Sequence, residues 1–442
     1  MRALLLQMAL ASFLPATLAA ANLGPLAYYW YTWMNPHRLV WGMLNIQWGK
    51  FFAVATLLGW LFSSGKKKIA WNIVTVMIIT FYLWTILTTM TAKFPDQAFS
   101  ELQEWSKVVL MCLITTAIMQ SRIRLHTLIW LLVISIGYHG VKGGLFMMLS
   151  GGNYLVVGPP QTSIAPTNEV ARAFLMTIPL AYYLSKHSAH RYVRWTMLGV
   201  TLLLMAALVG TNSRGALVAM LAMMGFAWLY MKRKILIVVG AAIVLAAAVV
   251  VLPAERTSGL TARFSTIDEY EEDGSFQGRV RAWNYAMEVG RKSPIFGNGF
   301  GTFDFGFEKA AHSNYFEVLG EHGYVGLSIY LFMVISAFFY SGVIMSRAKR
   351  QKELYWARDL ALCLRFAIVG YLVGGITKNH AFFELFYVEL ALLAIVGALV
   401  KQEIRQTHAP PASDTRFAPA IAGQGPGVVT PASAIRPASP AE

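Results

Sequence analysis

Apolar residues in this chain come in long blocks rather than in alternation with polar ones. Runs long enough to cross a hydrocarbon core of about 30 Å recur from one end to the other, separated by short polar connections. The blocks predict twelve helical spans, at 3–21, 43–63, 69–90, 105–120, 125–141, 168–186, 193–211, 213–231, 234–252, 322–346, 358–377 and 381–400. The stretch 26–33 is aromatic, too short to span, and bounded by Pro25 and Pro36. It is expected in the membrane interface or as a piece that dips in and returns. Met1-Arg2, an apolar run and Leu18-Ala19-Ala20-Ala21 have the form of a secretory signal. With so many further spans behind it, the segment reads as a retained first helix.

Basic residues set the orientation. Lys66-Lys67-Lys68, Arg122/Arg124, Lys186/Arg191/Arg194, Lys232-Arg233-Lys234, Arg347/Lys349/Arg350/Lys352 and Lys401/Arg405 fall on every second connection. Cytoplasmic loops carry that excess, and an even number of spans puts both termini on the same side. The chain then divides into spans one to nine (1–252), a long periplasmic loop (253–321), spans ten to twelve (322–402) and a cytoplasmic tail (403–442). The connections 91–104 and 142–167 share the periplasmic face with the long loop. The tail is rich in Pro, Ala, Gly and Ser, cannot bury enough apolar surface to offset its ordering entropy, and is expected to be disordered.

Composition agrees with an all-α polytopic membrane protein. Of 442 residues 56% are hydrophobic and 13% charged, with mean hydropathy +0.52; an ordinary soluble domain carries about 25% charged residues. The formal charge of +15 is a topology signal and a match to anionic headgroups of the bilayer lipids, so no nucleic-acid partner is expected. Cys112 and Cys363 lie inside apolar spans as core residues, without disulfide or metal spacing.

The long loop has structure of its own. Residues 277–292 read as a helix, with Val280, Trp283 and Met287 on one stripe and Arg279 four residues before Trp283. It is expected to rest on the membrane surface, aromatic side down. Ser293-Pro294 stops it. Gly297-Asn298-Gly299-Phe300-Gly301 reads as a tight turn, because no βαβ context makes it a nucleotide loop. Glu271-Glu272-Asp273 reads as solvated loop, since three consecutive acids do not make a cation cage.

Segment 253–320 holds seven Lys or Arg against ten Asp or Glu, so single arginines matter more than overall charge. Arg279 and Arg281 sit near the start of the loop helix. Arg214, in Thr211-Asn212-Ser213-Arg214-Gly215, stands where two spans turn around, and Arg172 begins the sixth span. Arg at membrane depth costs about 2.5–3.5 kcal/mol on insertion scales, which points to an anionic partner or a wet cavity. Its planar fork suits phosphate; snorkelling to headgroups is the other reading of Arg214. His312 is the best base, because imidazole, with an ordinary pKa near 6.5, takes a proton from a hydroxyl at neutral pH when held in place. A lone His is more often structural. Here it follows a loop with candidate phosphate arginines, and the spacing of Gly323 and Gly326 permits close helix packing. His322 is the second candidate base and His380, beside Lys378, the third.

These residues resemble a known family. His312-Ser313, nine residues, Gly323, two residues and Gly326 match the His-[Asn/Ser/Gln]-x9-Gly-x2-Gly pattern of bacterial O-antigen ligases. Ser213-Arg214-Gly215, Gly278-Arg279 with Trp283, and Pro294-Ile295-Phe296-Gly297-Asn298-Gly299 look like other landmarks of the wider ligase and polymerase superfamily. The region 30–41 is similar to a subgroup of exosortase-associated O-glycosylation ligases. The resemblance implies a GT-C-like fold of about twelve spans in the bacterial inner membrane, with the active site on the periplasmic side. It also implies metal-independent, inverting transfer of a glycan from undecaprenyl pyrophosphate to lipid A–core oligosaccharide, with no cofactor. By the family pattern His312 would deprotonate the acceptor hydroxyl. Arg214 and Arg279, with Arg172 and Arg281, would hold the pyrophosphate. Asn314, Tyr315, Glu317, His322, Gly323 and Gly326 would support the site. A protein Ser/Thr acceptor or a growing glycan would serve the same donor chemistry. A flippase for a lipid-linked anion is the alternative of another class, but its midplane ionisable residues and repeated halves are not evident in this chain.

Overall fold

A computed structural model of the protein describes residues 1–42, 46–63, 68–230, 274–307 and 310–407, with part of 234–244. Every regular element among the described residues is helical: α1 (Arg2–Ala19), α2 (Leu23–Met34), α3 (Trp48–Phe62), α4 (Ile73–Met90), α5 (Pro95–Ile118), α6 (Arg122–Leu149), α7 (Thr167–His187), α8 (Arg191–Gly210), α9 (Arg214–Tyr230), α10 (Gly274–Lys292), α11 (Phe303–Phe307), α12 (Asn314–Ala348), α13 (Tyr355–Gly374) and α14 (Glu384–Thr407). Five of them, α1, α4, α6, α8 and α12, are by themselves long and apolar enough to cross a membrane, and α3 and α9 are shorter apolar helices. The chain is an all-α, multi-pass membrane protein. The expected span 234–252 lies largely outside the described residues. The loop residues 253–273 and the tail from 408 lie wholly outside them.

Local chemistry fixes the helix ends. Asn72 caps α4, its Oδ1 accepting from the N–H groups of Val74 and Thr75 at 3.1 and 3.3 Å. Its amide also donates to the Ala394 carbonyl, which ties α4 to α14. Pro95 opens α5 where no N–H is needed, with Asp96 in the positive first turn. Buried hydroxyls turn back onto carbonyls four residues earlier, at Thr56, Thr115, Thr177 and Thr201, so they are satisfied without a partner helix. α14 is buried from Leu385 to Val396 and forms the centre of the bundle.

Two expectations are corrected and one is sharpened. The stretch 26–33, expected in the interface or as a piece that dips in and returns, is the body of α2 and packs against α3, α5 and α6. Tyr29 reaches Thr115 on α5 at 3.2 Å, Met34 accepts from His139 on α6, and Gly24 lets α2 touch Thr56 on α3. α2 folds back on α1, with Phe13 against Trp30, so the first residues of α1 lie at the end of the bundle where α2 finishes. That differs from an arrangement in which a single span precedes α3 and both termini share one side. Second, the connections 91–104 and 142–167 are shorter than expected, because α5 begins at Pro95 and α6 continues to Leu149. Third, α10 turns its aromatic side to protein. Trp283 stacks on Phe316 of α12 at 5.2 Å, and Ala282 and Ala286 pack with Phe303 and Ala311. An amphipathic stripe tells which side of a helix is buried, and not what covers it.

α12 is broken at Gly323, which takes φ 67° and ψ −172° inside the helix. The break frees backbone groups that the neighbouring turn collects. The N–H groups of Asn298 and Gly299 donate to the carbonyls of Gly320 and Glu321 at 2.9 and 3.0 Å, Trp84 Nε1 donates to His322, and Tyr324 N–H donates to Pro294. A Cβ at Gly323 would run into the Ile295 carbonyl, and one at Gly297 would approach the Glu321 carbonyl carbon to 2.6 Å. The glycine-rich turn and the helix break are one construction, of the kind that satisfies non-helical backbone within a membrane protein.

Candidate functional site

The break orients the first turns of α12, and the site is built around their start. Ser313 is the N-cap, and His312, just before it, takes φ 52°, a left-handed conformation uncommon for a residue with a side chain. Its Nδ1 is buried and has no hydrogen-bond partner. Burial first, then the positive charges of Lys378 and Arg279, lower its pKa below the ordinary imidazole value.

Asn314 locks this turn to the 374–381 connection. Its Oδ1 accepts from the His380 N–H at 2.7 Å and from Arg172 Nη1 at 3.4 Å, and its own N–H donates to the Gly375 carbonyl. Its Nδ2 donates to the Tyr330 hydroxyl at 3.2 Å, Tyr330 meets Tyr371 at 3.0 Å, and Tyr371 donates to the His380 carbonyl at 2.9 Å. Tyr371 has one proton and gives it to that carbonyl, so Tyr330 must donate to Tyr371. The bonds then close into a ring through His380, with every member satisfied. Tyr315 donates to the Leu372 carbonyl and Glu317 accepts from the Ala381 N–H, which fastens the same two segments again.

Cations gather on this frame. Arg172, 4% exposed, donates to the Gly374 carbonyl as well as to Asn314, and lies over the Tyr371 ring. Lys378 is half-buried; burial lowers its pKa, opposed by Glu169 and reinforced by Arg279 and Arg172. Glu169 Oε1 holds His380 Nε2 at 2.5 Å, while its Oε2 is buried without a partner. The charges of Lys378 and Arg279 thus act on His312, whose Nδ1 has no partner, and Arg172 is held two residues on at Asn314; an anion is what these cations would accept.

Other candidates are placed differently. Arg214 opens α9 and is exposed; its neighbour Gly215 rests on Thr377, and Ser213 donates to Asn168 at 2.7 Å, so the α8–α9 turn abuts the turn that carries Lys378. Arg281 is exposed and directs Nε at the Gln277 carbonyl of its own helix. Two residues after Arg279 it points to another side of α10, away from the cluster. His322 is completely buried, with Nδ1 at 2.7 Å from the Thr88 hydroxyl and its ring among Phe81, Phe300 and Phe382. That is the packing of a core histidine rather than of a base waiting for substrate. Gly326 admits the His322 side chain and brings Trp84 Nε1 to 2.9 Å of where a Cβ would stand.

Glu169 and Lys378 belong to the cluster, though no motif marks them. The signals were a charged pair, Glu169 and Arg172, in an otherwise apolar span, and the polar triplet Lys378-Asn379-His380 between two others.

Two family models match the chain. Residues 1–189 match a family of unknown function, and residues 199–331 match the O-antigen ligase family. No curated protein matches the chain. The ligase match spans α8 to the middle of α12 and includes Arg214, Arg279 and His312, whereas Arg172 and Lys378 reach the cluster from outside it. Through residues 199–331, the part that carries Arg214, Arg279 and His312, the chain is similar to the O-antigen ligase superfamily.

Proposed function

We propose that this protein is a ligase-type glycosyltransferase acting on the periplasmic side of the bacterial inner membrane. Its donor is a glycan on undecaprenyl pyrophosphate and its acceptor is lipid A–core oligosaccharide. The observation that carries the reading is the convergence of cations on an unpartnered imidazole: His312 Nδ1 has no partner, and Arg279 and Lys378 act on it together. The match of residues 199–331 to the O-antigen ligase family supports the same reaction class.

In the proposed reaction His312 takes the proton of an acceptor hydroxyl. The oxygen attacks the anomeric carbon from the face opposite the leaving group, the bond to pyrophosphate oxygen breaks with its electron pair, and configuration inverts. Charge grows on the pyrophosphate as it leaves. Preorganised donors in a dry site stabilise such charge best, which is the role given to Arg279, Arg172 and Lys378, with Arg214 at the rim. The lowered pKa of His312 keeps it neutral and able to accept a proton at pH 7.

Reconstituted protein given an undecaprenyl-pyrophosphate glycan and a choice of lipid A–core, a Ser/Thr-rich protein or a second donor molecule tests this directly. Consumption of lipid A–core in excess chelator, lost in His312→Ala with donor binding retained, is the expected result. Transfer only to protein or to a second donor would replace the acceptor assignment. A strict need for added Mg²⁺ would reject the metal-free mechanism, and full activity of His312→Ala would remove the base.

A further inference from the structure

A cavity of about 400 Å³ lies beside the site and takes no part in the reaction as drawn. Its volume falls in the range of small-molecule sites, about 300–1,000 Å³. Glu317, five residues after His312, stands in its wall. So do residues of the 379–384 segment, directly after the stretch that carries Lys378. The walls present two chemistries. Glu101, Glu317, Glu321 and Glu384 supply carboxylates, and among the described residues neither Lys nor Arg lines the cavity. Phe300 and Phe382, with ring centroids 4.4 Å apart, and Trp33, edge-on to Phe383 at 5.7 Å, supply aromatic surface. Two buried polar atoms of these lining residues have no partner: Oε1 of Glu384 and Nε1 of Trp33, whose side chain has no exposed surface. Native interiors rarely leave such atoms unpaired, and here one is an acceptor and the other a donor.

We propose that this cavity seats a sugar residue of the glycan substrate, uncharged or amino-substituted, while the cationic cluster beside it seats the pyrophosphate. The proposal rests on the glycosyl-transfer reading of the site. A pyranose brings hydroxyls that donate to carboxylates, an oxygen that accepts from the Trp33 indole N–H, and a C–H face that lies on an aromatic ring. The charges divide the substrate: acidic walls repel a phosphate or a uronic acid, and the Arg–Lys cluster attracts one. Carboxylates also suit a divalent cation, which the test must separate.

The experiment is saturation-transfer NMR on the full chain in nanodiscs. N-acetylglucosamine, glucosamine, glucuronic acid and glucose 1-phosphate are offered at equal concentration. The first two are expected to give signal and the two anions much less. Trp33→Phe should weaken N-acetylglucosamine binding by roughly two- to tenfold, the loss of one neutral hydrogen bond. Glu384→Gln should raise the glucuronic acid signal relative to glucosamine. Both variants should keep the thermal stabilisation by undecaprenyl pyrophosphate, which shows that they are folded. Equal signals from all the sugars, or no change in Trp33→Phe, would overturn the proposal. So would stabilisation of wild type, but not Glu384→Gln, by Ca²⁺. If sugar selectivity holds but undecaprenyl pyrophosphate stabilises nothing, the glycosyl-transfer reading fails instead.

Discussion

At the scale of single residues, two side chains carry testable consequences. Burial and the neighbouring cations Lys378 and Arg279 lower the pKa of His312. A lowered value means that the neutral, proton-accepting form persists as pH falls and is lost only below the ordinary value near 6.5. The acid limb of kcat/KM is therefore expected below pH 6.5. Lys378→Met, which removes one of the depressing charges, should move that limb upward whatever it does to the rate. A limb above 6.5, or one that the variant leaves in place, would show that another group titrates. Asn314 is the second case. It is 1% exposed and joins Arg172, Tyr330 and the His380 backbone. Asn314→Ala strands buried donors and an acceptor, and one unpaired buried group costs about 1–3 kcal/mol. Thermal unfolding in detergent should show the loss, and an unchanged Tm would mean that water or a rearrangement replaces the ring.

Among the elements, the broken helix α12 makes the sharpest claim. Gly323 needs a positive φ and sits against the Ile295 carbonyl. Positive φ with ψ near 180° is essentially reserved to glycine and costs about 1–3 kcal/mol for a residue with a Cβ, and the contact adds to it. Gly199, within α8, has open space around its missing Cβ, so Gly199→Ala should be neutral or stabilising by up to about 1 kcal/mol. Unfolding measurements on the two alanine variants should therefore differ in sign or clearly in size; equal stability would refute the argument. The break shows what the sequence concealed. The apolar blocks were legible, as were the stop at Ser293-Pro294 and the turn at 297–301, because each rests on local rules of hydropathy and turn chemistry. Gly323 and Gly326 read as small residues for packing; both are close-packed, but Gly323 also holds a backbone conformation that glycine alone adopts readily. A conformational need cannot be told from a packing need without the neighbour that imposes it. The same holds for the stripe on α10, whose partner, Phe316, lies more than thirty residues away from Trp283 in sequence.

Over the whole molecule, the site is assembled from α7, α10, the start of α12 and the α13–α14 connection. The sequence could mark His312 and Arg279 by motif, but Glu169 and Lys378 joined them only through folding. Sidedness is likewise a property of the assembled bundle. The helix ends that carry Arg122, Lys186, Arg347 and Lys401 lie at one end of the bundle. The connections containing residues 35–38, 150–166, 211–213, 293–313 and 375–383 meet at the other, as Arg38 bonds Gln161 at 2.5 Å, Ser213 bonds Asn168 and Asn314 bonds Gly375. By the excess of Lys and Arg the first end is expected to be cytoplasmic. Because α2 finishes at the site end and α1 folds back along it, residue 2 should share the outside with residue 281. Arg2→Cys, Arg281→Cys and Lys349→Cys, each at an exposed position, separate these arrangements, since the native Cys112 and Cys363 are buried. A membrane-impermeant maleimide applied to spheroplasts should label the first two, and should label Lys349→Cys only after permeabilisation. Protection of residue 2 together with residue 349 would restore the single-span start that loop parity alone predicts. Labelling of residue 349 in sealed spheroplasts would invert the whole bundle and put His312 on the side without lipid A–core acceptors.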